Sequence, residues 1–413
     1  MRILLLTDYF PPDKIGGVGE IASHLKSSYE AKGHEVYVLT TGPSRESERS
    51  AGIMRSARSL IAGVIINNVH ALRLMRAHSV DVIHLHQSST TLFLFLRLFK
   101  KRFPFVLNSF QVSYISEAQE IKSLEYGGRR FRPRFGEYLE KFLFAPVHIT
   151  LDFIGYVFSD HVTTVSRDNR RELLTSFARV LRKPITVVPN GTIVAPAAVP
   201  SWARDLELEA RIANKIVVTY VGVFRMRKRM FHLLYAFRVA LVRHPNMTLL
   251  LVGGGRGYEP EITSLVRELG LEHAVILVGK VPSVTVLYYL HLTDIVCMPS
   301  SYEGMPVAIL QAMAMGKPVV TTNGFGMRDL IENSETGSLA PVDDVSALAD
   351  AIAELASNPK KASAMGQRAR AVVVAHYGWD DVAERYLDLI PKPQCFQNRE
   401  SLHPSVPTRV GCR

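Results

Sequence analysis

Short apolar runs alternate with longer amphipathic stretches along most of this chain of 413 residues. The apolar runs are rich in Val, Ile and Leu and have the length of β-strands. The stretches between them are helix-like; residues 20–32, for example, end at Gly33, which is typical of a helix C-terminus. In the first half of the chain this pattern predicts strands at residues 3–7, 36–39, 82–86, 105–109, 161–165 and 186–188.

A second series of apolar runs begins after a Pro-Asn-Gly turn at 189–191 and a stretch that contains Pro196 and Pro200. Strands that alternate with helices form parallel sheets. The sequence therefore predicts an α/β protein with two parallel sheets joined by a linker near residue 196. Strands of the second series are predicted at residues 216–221, 248–252, 275–278, 295–298 and 318–322.

The composition is that of a globular chain, with 47% hydrophobic and 21% charged residues, and its length suits two domains. The formal net charge of +11 favours an anionic partner. Three cysteines without paired spacing indicate a reducing compartment. The longest apolar region, 142–158, contains Pro146, His148 and Asp152, so we interpret it as a buried helix or pair of helices rather than a membrane span.

The most distinctive segment is 294–318, where an apolar strand runs into a polar turn with Glu303, Gly304 and Pro306. A helix follows at once and ends at Gly316; proline is favoured at the start of a helix and glycine just past its end. A carboxylate and free backbone N–H groups thus meet at a helix N-terminus. This is where α/β proteins place anionic ligands.

This segment resembles the retaining glycosyltransferases of the large nucleotide-sugar-dependent family (family 4, or group 1), whose signature is Glu-x7-Glu followed by Ala-Met-Ala-x-Gly-x-Pro. Gln311 stands where the family has its second Glu, which binds both ribose hydroxyls. The resemblance assigns Glu303 to the donor sugar, and Gly304, Met305, Pro306 and Gln311 to the nucleotide sugar. The matching residues are Glu303, Pro306, Ala312, Met313, Ala314, Gly316 and Pro318.

The resemblance covers about residues 1–390 and implies the GT-B fold, an α/β architecture of two Rossmann-like domains that face each other across a cleft. It implies an acceptor-binding domain at 1–195 and a nucleotide-sugar-binding domain at 196–375. A helix at 376–390 is expected to cross back to the first domain. Residues 391–413 show no periodicity, and we expect them to be disordered.

Three glycine-containing turns follow strands. The turn that begins with Gly16 and Gly17 opens a helix, and the resemblance places it at the donor diphosphate; a tight turn without a ligand is the alternative. The turn after Gly222 holds Arg225 and three further basic residues at 227–229, which suits a pyrophosphate or a solvated basic turn. Gly253 and Gly254 border the nucleotide in the family.

The family pattern at the basic turn is Gly-Arg-Leu-x3-Lys-Gly, and Lys228 matches its lysine. Val223 replaces the arginine, Arg229 replaces the second glycine, and Arg225 is the candidate for the missing charge. His84 and His86 share one face of a strand. The resemblance assigns His86 to the donor sugar; a structural histidine or a metal ligand is the alternative. The family's second histidine is Gln111 here.

Two segments interleave basic and aromatic residues, 92–103 and 127–135. This composition suits an anionic bilayer surface or a nucleic acid, or else a solvated face. Because relatives reach lipid-linked acceptors through such a surface, the expected partners are a nucleotide sugar, a glycan or lipid-linked acceptor and a membrane surface, but no nucleic acid. The expected location is cytoplasmic, peripheral on the cytoplasmic membrane face.

The resemblance implies a retaining glycosyltransferase for glycolipid or cell-surface polysaccharide synthesis, with Glu303, His86 and Lys228 as its catalytic residues. A UDP- or GDP-sugar is the expected donor. No metal and no further cofactor are expected, because the sequence has a basic cluster and lacks an acidic metal-binding motif such as Asp-x-Asp. The departures from the signature leave two rivals, a nucleotide-sugar-binding protein with weakened catalysis and a nucleotide-sugar epimerase. A nicotinamide-dependent oxidoreductase is a more distant alternative.

Overall fold

The computed structural model describes residues 1–11, 17–41, 53–56, 60–86, 90–99, 102–194 and 204–391. Two parallel sheets organise them, one from each half of the chain, as the apolar runs predict. Every strand predicted from the sequence is present within two residues of its expected bounds. The strands are β1 Arg2–Leu6, β2 Glu35–Thr41, β3 Ile53–Ser56, β4 Val82–His86, β5 Phe105–Phe110, β6 Leu124–Tyr126, β7 Arg129–Phe131, β8 His161–Thr164, β9 Ile185–Val187, β10 Ile216–Val223, β11 Met247–Gly254, β12 Val275–Gly279, β13 Ile295–Met298, β14 Val319–Thr322 and β15 Ser338–Ala340.

The first sheet has the order β3-β2-β1-β4-β5-β8-β9, and the second has the order β12-β11-β10-β13-β14-β15. All pairs in both sheets are parallel. In each sheet the chain order reverses beside the first strand, because β4 and β13 pair with the strands on which their sheets began. Ligands bind α/β sheets at such switch points, beyond the carboxyl ends of the strands.

Helices cover both sheets. The bounds are α1 Gly17–Ala31, α2 Leu60–His78, α3 Tyr114–Glu120, α4 Phe135–Phe158, α5 Arg167–Thr175, α6 Leu206–Ile212, α7 Met230–Arg243, α8 Glu259–Glu268, α9 Ser283–His291, α10 Val307–Ala314, α11 Val345–Ser357, α12 Pro359–His376 and α13 Trp379–Asp388. The middle turn of α4, Glu140–Phe144, is π-helical, and 3₁₀ turns occur at Leu92–Leu98, Phe177–Arg179 and Met226–Lys228.

The strands that lead to the cleft are buried on both faces. In β1, Leu4, Leu5 and Leu6 have no exposed surface, and β13 is buried throughout. Full burial of one such side chain contributes about 1.5–3 kcal/mol to folding. These strands are therefore fixed supports for the turns at their carboxyl ends.

The last helix, α13, packs on the first sheet's side of the molecule. Trp379 stacks on His24 of α1, with ring centroids 5.1 Å apart, and Tyr386 lies against His84 of β4. Both aromatic side chains belong to the core of the first sheet. The tail that we expect to be disordered lies outside the described residues, apart from residue 391.

The interpretation of 142–158 as buried is wrong. These residues form the larger part of α4, and only 22% of the helix's most apolar stretch is buried. Its inner side faces the cleft, and its outer side, with Phe142 and Leu143, faces solvent. The apolar composition suggests a core helix, but the side chains of Phe142, Leu143 and Val147 lie on the surface of the protein.

Segment 127–135 also differs from a solvated basic face. It includes β7, which forms a hairpin with β6, and Phe131 of β7 stacks on Phe231 of α7 with ring centroids 4.0 Å apart. Arg129 pairs with Glu268 at 2.5 Å, and Arg134 pairs with Glu261 at 3.4 Å. The hairpin therefore joins the two halves of the chain.

Candidate functional site

A cleft of about 1190 Å³ lies between the two sheets, beyond the carboxyl ends of their strands. The first half of the chain contributes Gly17, Gln111, Tyr114 and Glu117, among others, to its walls. The second half contributes the basic turn after β10 and the polar turn after β13. The sequence-predicted residues that line the cleft are Gly17, Gly222, Arg225, Lys228, Gly253, Gly254, Glu303, Gly304, Met305, Pro306 and Gln311.

Glu303 is a buried anion in the wall of the cleft. Its Oε1 pairs with Lys228 Nζ, and its Oε2 lies 2.9 Å from Arg227 Nη1. Arg227 Nη1 also donates to the Tyr302 carbonyl at 2.7 Å, which ties the basic turn after β10 to the turn after β13. The two turns that the sequence singled out are thus held together by ion pairs.

The charges in this cluster are strongly coupled. Burial would raise the pKa of Glu303, but the positive charges of Arg227 and Lys228 outweigh it and bring the pKa from 4.5 to about 2. Burial lowers the pKa of Lys228, and the Glu303 carboxylate opposes that effect. Glu303 is therefore ionised at neutral pH and accepts hydrogen bonds only.

Arg225 lines the cleft, but its guanidinium group already forms ion pairs with two carboxylates. Its Nη1 lies 2.8 Å from Glu117 of α3 and 3.1 Å from Glu140 of α4. Arg256 also pairs with Glu140. A diphosphate that binds Arg225 must therefore compete with carboxylates from the first half of the chain.

Arg229 does not face the cleft. It has a left-handed backbone (φ 54°), the conformation that the family's glycine adopts easily, and its side chain is 1% exposed. The guanidinium pairs with Asp343 at 2.5 Å and with Glu120 of α3 at 3.1 Å. Its role is to join α3 to the second sheet, so only part of the basic turn is directed at a ligand.

Glycines bring backbone close to the cleft at the ends of β10 and β11. Gly253 has φ 134°, and a Cβ there would overlap the Gly222 carbonyl oxygen. Gly17 lies at the first turn of α1, where backbone N–H groups are free to bind an anion. Gly16 lies outside the described residues.

The two halves of the chain approach most closely at Gly304. A Cβ at this position would overlap the carbonyl oxygen of Gln111, so only glycine permits the contact. Asn190 strengthens it, since its Nδ2 donates to the Met305 carbonyl at 3.2 Å. Gln311, in α10, lines the cleft one turn beyond Val307.

His86 does not line the cleft. It is fully buried, neither ring nitrogen has a hydrogen-bond partner among the described residues, and burial lowers its pKa to about 3. His84 is also buried, between the hydroxyls of Tyr29 and Ser109 at 3.2 and 2.7 Å. Residues 87–89, which follow His86, lie outside the described part of the chain.

The sequence did not single out the wall formed by α3 and α4. Glu117, Glu140 and His148 line the cleft there, and Tyr114 stacks on His148 at 4.4 Å. No motif marks these residues, because they are spread over two helices and meet only in the folded chain. Among the described residues, no group of three or more His, Cys, Asp or Glu side chains could hold a metal ion.

The two facing parallel sheets and the cleft between them define an α/β protein of GT-B architecture, as solved structures confirm. A sucrose-phosphate synthase from Thermosynechococcus elongatus superposes with a TM-score of 0.72 at 20% identity, covering 96% of this chain and 99% of that one. The Anabaena HepE structure with UDP and glucose has a TM-score of 0.71 at 18% identity, covering 94% of this chain and 98% of that one.

Sequence comparison identifies the family. Residues 15–195 match Glycosyltransferase Family 4, and residues 206–372 match Glycosyl transferases group 1. A glycogen synthase of Mycobacterium tuberculosis (strain CDC 1551 / Oshkosh) is 25% identical over 411 residues, covering 93% of this chain and 92% of that protein. The chain belongs to the group 1, family 4 glycosyltransferases.

Proposed function

We propose that this glycosyltransferase moves a sugar from a nucleoside diphosphate sugar to an acceptor hydroxyl, with retention of anomeric configuration and without a divalent metal. The observation that supports the proposal best is the Glu303–Lys228 pair at the end of the cleft where the glycine turns converge. The HepE structure that this fold resembles was solved with UDP and glucose. A UDP-sugar is therefore the first donor to test.

In the proposed reaction the bond between the anomeric carbon and the diphosphate breaks as the acceptor hydroxyl approaches from the same face. Negative charge develops on the leaving diphosphate, and Lys228 with the backbone N–H groups of the glycine turns stabilises it. The diphosphate accepts the proton of the acceptor hydroxyl. The Glu303 carboxylate binds hydroxyl groups of the donor sugar and orients it.

The acceptor, in this proposal, lies against the wall of the first half of the chain. Tyr114, Glu117 and His148 supply polar groups there for a hydroxylated molecule. A glycan or a lipid-linked acceptor in glycolipid or cell-surface polysaccharide synthesis has this chemistry, and a cytoplasmic, membrane-peripheral enzyme would reach it.

The test begins with a thermal-shift panel of UDP- and GDP-sugars, because a bound ligand raises the melting temperature by mass action. The stabilising donor is then incubated with candidate acceptors, and NMR of the product determines its anomeric configuration. Inversion would overturn the proposed stereochemistry. Loss of transfer in chelator that magnesium or manganese restores would overturn metal independence.

The same assay separates the rival functions. Donor binding without hydrolysis or transfer would identify a nucleotide-sugar-binding protein with weakened catalysis. Of the two rival functions, the ion pairs of Arg225 with Glu117 and Glu140 favour this one. Conversion of the donor alone into an isomer would identify an epimerase.

A further inference from the structure

The outer side of α4 is apolar over about half of the helix. Phe135 is 77% exposed and Phe142 is 70% exposed. Spacings of three and four residues place such side chains on one helix face, which a soluble protein normally turns toward its core. We call this surface the α4 outer face; its large exposed side chains are Phe135, Tyr138, Leu139, Phe142, Leu143 and Val147.

The inner side of the same helix is polar and already has partners. Glu137 is buried and accepts a hydrogen bond from the Tyr258 hydroxyl. Glu140 pairs with Arg225 and Arg256, and His148 faces the cleft. The usual polarity of a surface helix is therefore reversed, and these ion pairs hold α4 with its apolar side outward.

The helix has the length and composition of a membrane span, but its contacts hold it against the protein. Only 22% of its most apolar stretch is buried, so it is not a core helix. The ion pairs along the inner side would have to break before α4 could cross a bilayer. An apolar face with a polar, anchored opposite face suits a helix that lies in the membrane interface.

Basic residues flank the α4 outer face where the helix ends. The segment 177–183 packs on the C-terminal half of α4, where the ring of Phe177 contacts Phe153 and Tyr156 donates to the Leu181 carbonyl at 2.8 Å. Val180 in this segment is 74% exposed. Its exposed cations are Arg179 and Arg182, and residues 173–183 contain no acid.

A second flanking segment is the 3₁₀ turn Leu92–Leu98, which packs on the same end of α4. Phe95 contacts Phe158 with ring centroids 4.9 Å apart, and the side chains of Leu98 and Phe99 are 67% and 82% exposed. Within the π-helical turn of α4, the ammonium group of Lys141 donates to the Ile121 carbonyl at 3.0 Å and lies 5.7 Å from the Phe142 ring. The surface thus combines exposed apolar groups with positive charge, in a chain of net charge +11.

We propose that the α4 outer face, with segments 92–99 and 177–183, docks on the surface of an anionic lipid bilayer. The apolar side chains enter the boundary between headgroups and acyl chains, and the cations lie near lipid phosphates. Phe144 and His148 of α4 line the cleft, so a molecule held in the bilayer would be one helix away from it. This assigns docking to α4, whereas Arg129 and Arg134 of segment 127–135 pair with Glu268 and Glu261 of the second half of the chain.

Flotation of the full chain with vesicles tests the proposal without donor or acceptor, so its outcome does not depend on the proposed transfer reaction. The wild type is expected to float with phosphatidylcholine–phosphatidylglycerol vesicles and less with phosphatidylcholine alone. The double variant Phe142→Ser, Leu143→Ser should bind at least about tenfold more weakly. The matched control Leu206→Ser, Val242→Ser, which changes exposed residues of the second half of the chain, should bind like the wild type.

Two further measurements separate the electrostatic contribution to vesicle binding from the apolar one. Arg179→Gln with Arg182→Gln should remove most of the salt-dependent part of vesicle binding, because it removes only charge. The tryptophan fluorescence that Phe142→Trp adds should shift to the blue when vesicles are added, whereas the fluorescence that Val242→Trp adds should not shift. Absence of flotation by the wild type, or equal binding by the Phe142→Ser, Leu143→Ser variant, would overturn the proposal. A dimer in solution that this variant converts to monomer would instead assign the surface to a second copy of the chain.

Discussion

Glu303 is the residue on which the electrostatics of the cleft depend. Its carboxylate pairs with Lys228 and Arg227, and all three side chains are largely buried. Replacing Glu303 by Gln leaves two buried cations without their main counter-charge. We expect the free energy of unfolding at neutral pH to fall by about 3 kcal/mol, as measured by urea denaturation. Glu335→Gln, in an exposed pair with Arg368, should change it by less than about 1 kcal/mol.

The same pair of proteins should show a pH dependence with a definite sign. The pKa of Glu303 is depressed in the folded chain, from 4.5 to about 2. Its ionisation therefore stabilises the fold above about pH 4.5, and this contribution is lost as the pH falls toward 2. The stability difference between the wild type and Glu303→Gln should shrink over that range. A constant difference would mean that the carboxylate is not the source of the stabilisation.

Gln311 lines the cleft and stands where the family signature has its second glutamate, for which we expect a ribose-binding role. A carboxylate offers two acceptor oxygens, whereas the amide offers one acceptor and an NH₂ that needs its own acceptor. Gln311→Glu should tighten binding of the nucleoside diphosphate by about 1 kcal/mol, or about fivefold. Calorimetric titration of UDP and GDP measures the change. Equal or weaker binding by the variant would show that the site has adapted to the amide.

At the scale of elements, helices α3 and α4 oppose the basic turn after β10 with carboxylates. Glu117 of α3 and Glu140 of α4 pair with Arg225, which lines the cleft. In a cleft that binds a diphosphate, these carboxylates and the ligand interact with the same cations. The helices therefore set how much positive charge remains for the donor.

Removing one of these carboxylates should increase the affinity of the protein for the donor nucleotide. Glu140→Gln leaves the helix in place but removes the charge that neutralises Arg225 and Arg256. We expect UDP to bind about fivefold more tightly, which corresponds to about 1 kcal/mol, with a steeper dependence on salt. Calorimetry at two salt concentrations gives both quantities.

The matched control for this change is Glu125→Gln, whose carboxylate pairs with Arg130 in the exposed hairpin of β6 and β7. It removes the same charge from the same half of the chain but lies away from the cleft. Unchanged UDP affinity is expected. Tightening by both variants would point to the net charge of the protein, and weakening by Glu140→Gln would show that the carboxylate holds Arg225 in its binding position.

At the scale of the molecule, function depends on how closely the two halves approach. Tyr302 of the second half reaches across to Ser113, whose backbone N–H donates to the Tyr302 hydroxyl at 2.7 Å. Arg328 pairs with Asp168 at 2.6 Å. Together with the hairpin of β6 and β7, these contacts hold the two halves of the chain against each other on either side of the cleft.

Gly304→Ala should keep this arrangement from forming. The added methyl group would overlap the Gln111 carbonyl oxygen, while the turn itself has an ordinary backbone that alanine adopts. We expect small-angle scattering to show a more extended particle, and transfer, if the proposed reaction holds, to fall by at least about tenfold. Each half of the chain should keep its secondary structure by circular dichroism.

Gly136→Ala is the control for that substitution, because a Cβ at Gly136 meets no atom within 4 Å. It lies in the exposed first turn of α4, so alanine should leave the scattering profile unchanged and stability equal or slightly greater. A compact Gly304→Ala protein with full activity would show that the contact with Gln111 is not needed for closure.

The sequence by itself determined the two sheets, because each buried strand is a local apolar run and each crossover helix is a local periodic stretch. It also located the turns with Gly222, Gly253 and Glu303, since glycine and proline mark such turns without reference to distant residues. The structure places all three turns in one cleft. The short strands β3, β6, β7 and β15 had no comparable apolar pattern and were not predicted.

Only the tertiary structure decided which charges face a ligand and which side of α4 faces solvent. Arg225 and Arg229 look alike in the sequence, but one lines the cleft and the other is buried beside Asp343 and Glu120, because partners from distant helices position them. An apolar helix has the same composition whether its stripe faces a core or solvent. The contacts that hold the inner side of α4 are the Arg225–Glu140 ion pair and the Tyr258–Glu137 hydrogen bond. They join residues 85 and 121 positions apart, and no local pattern predicts them.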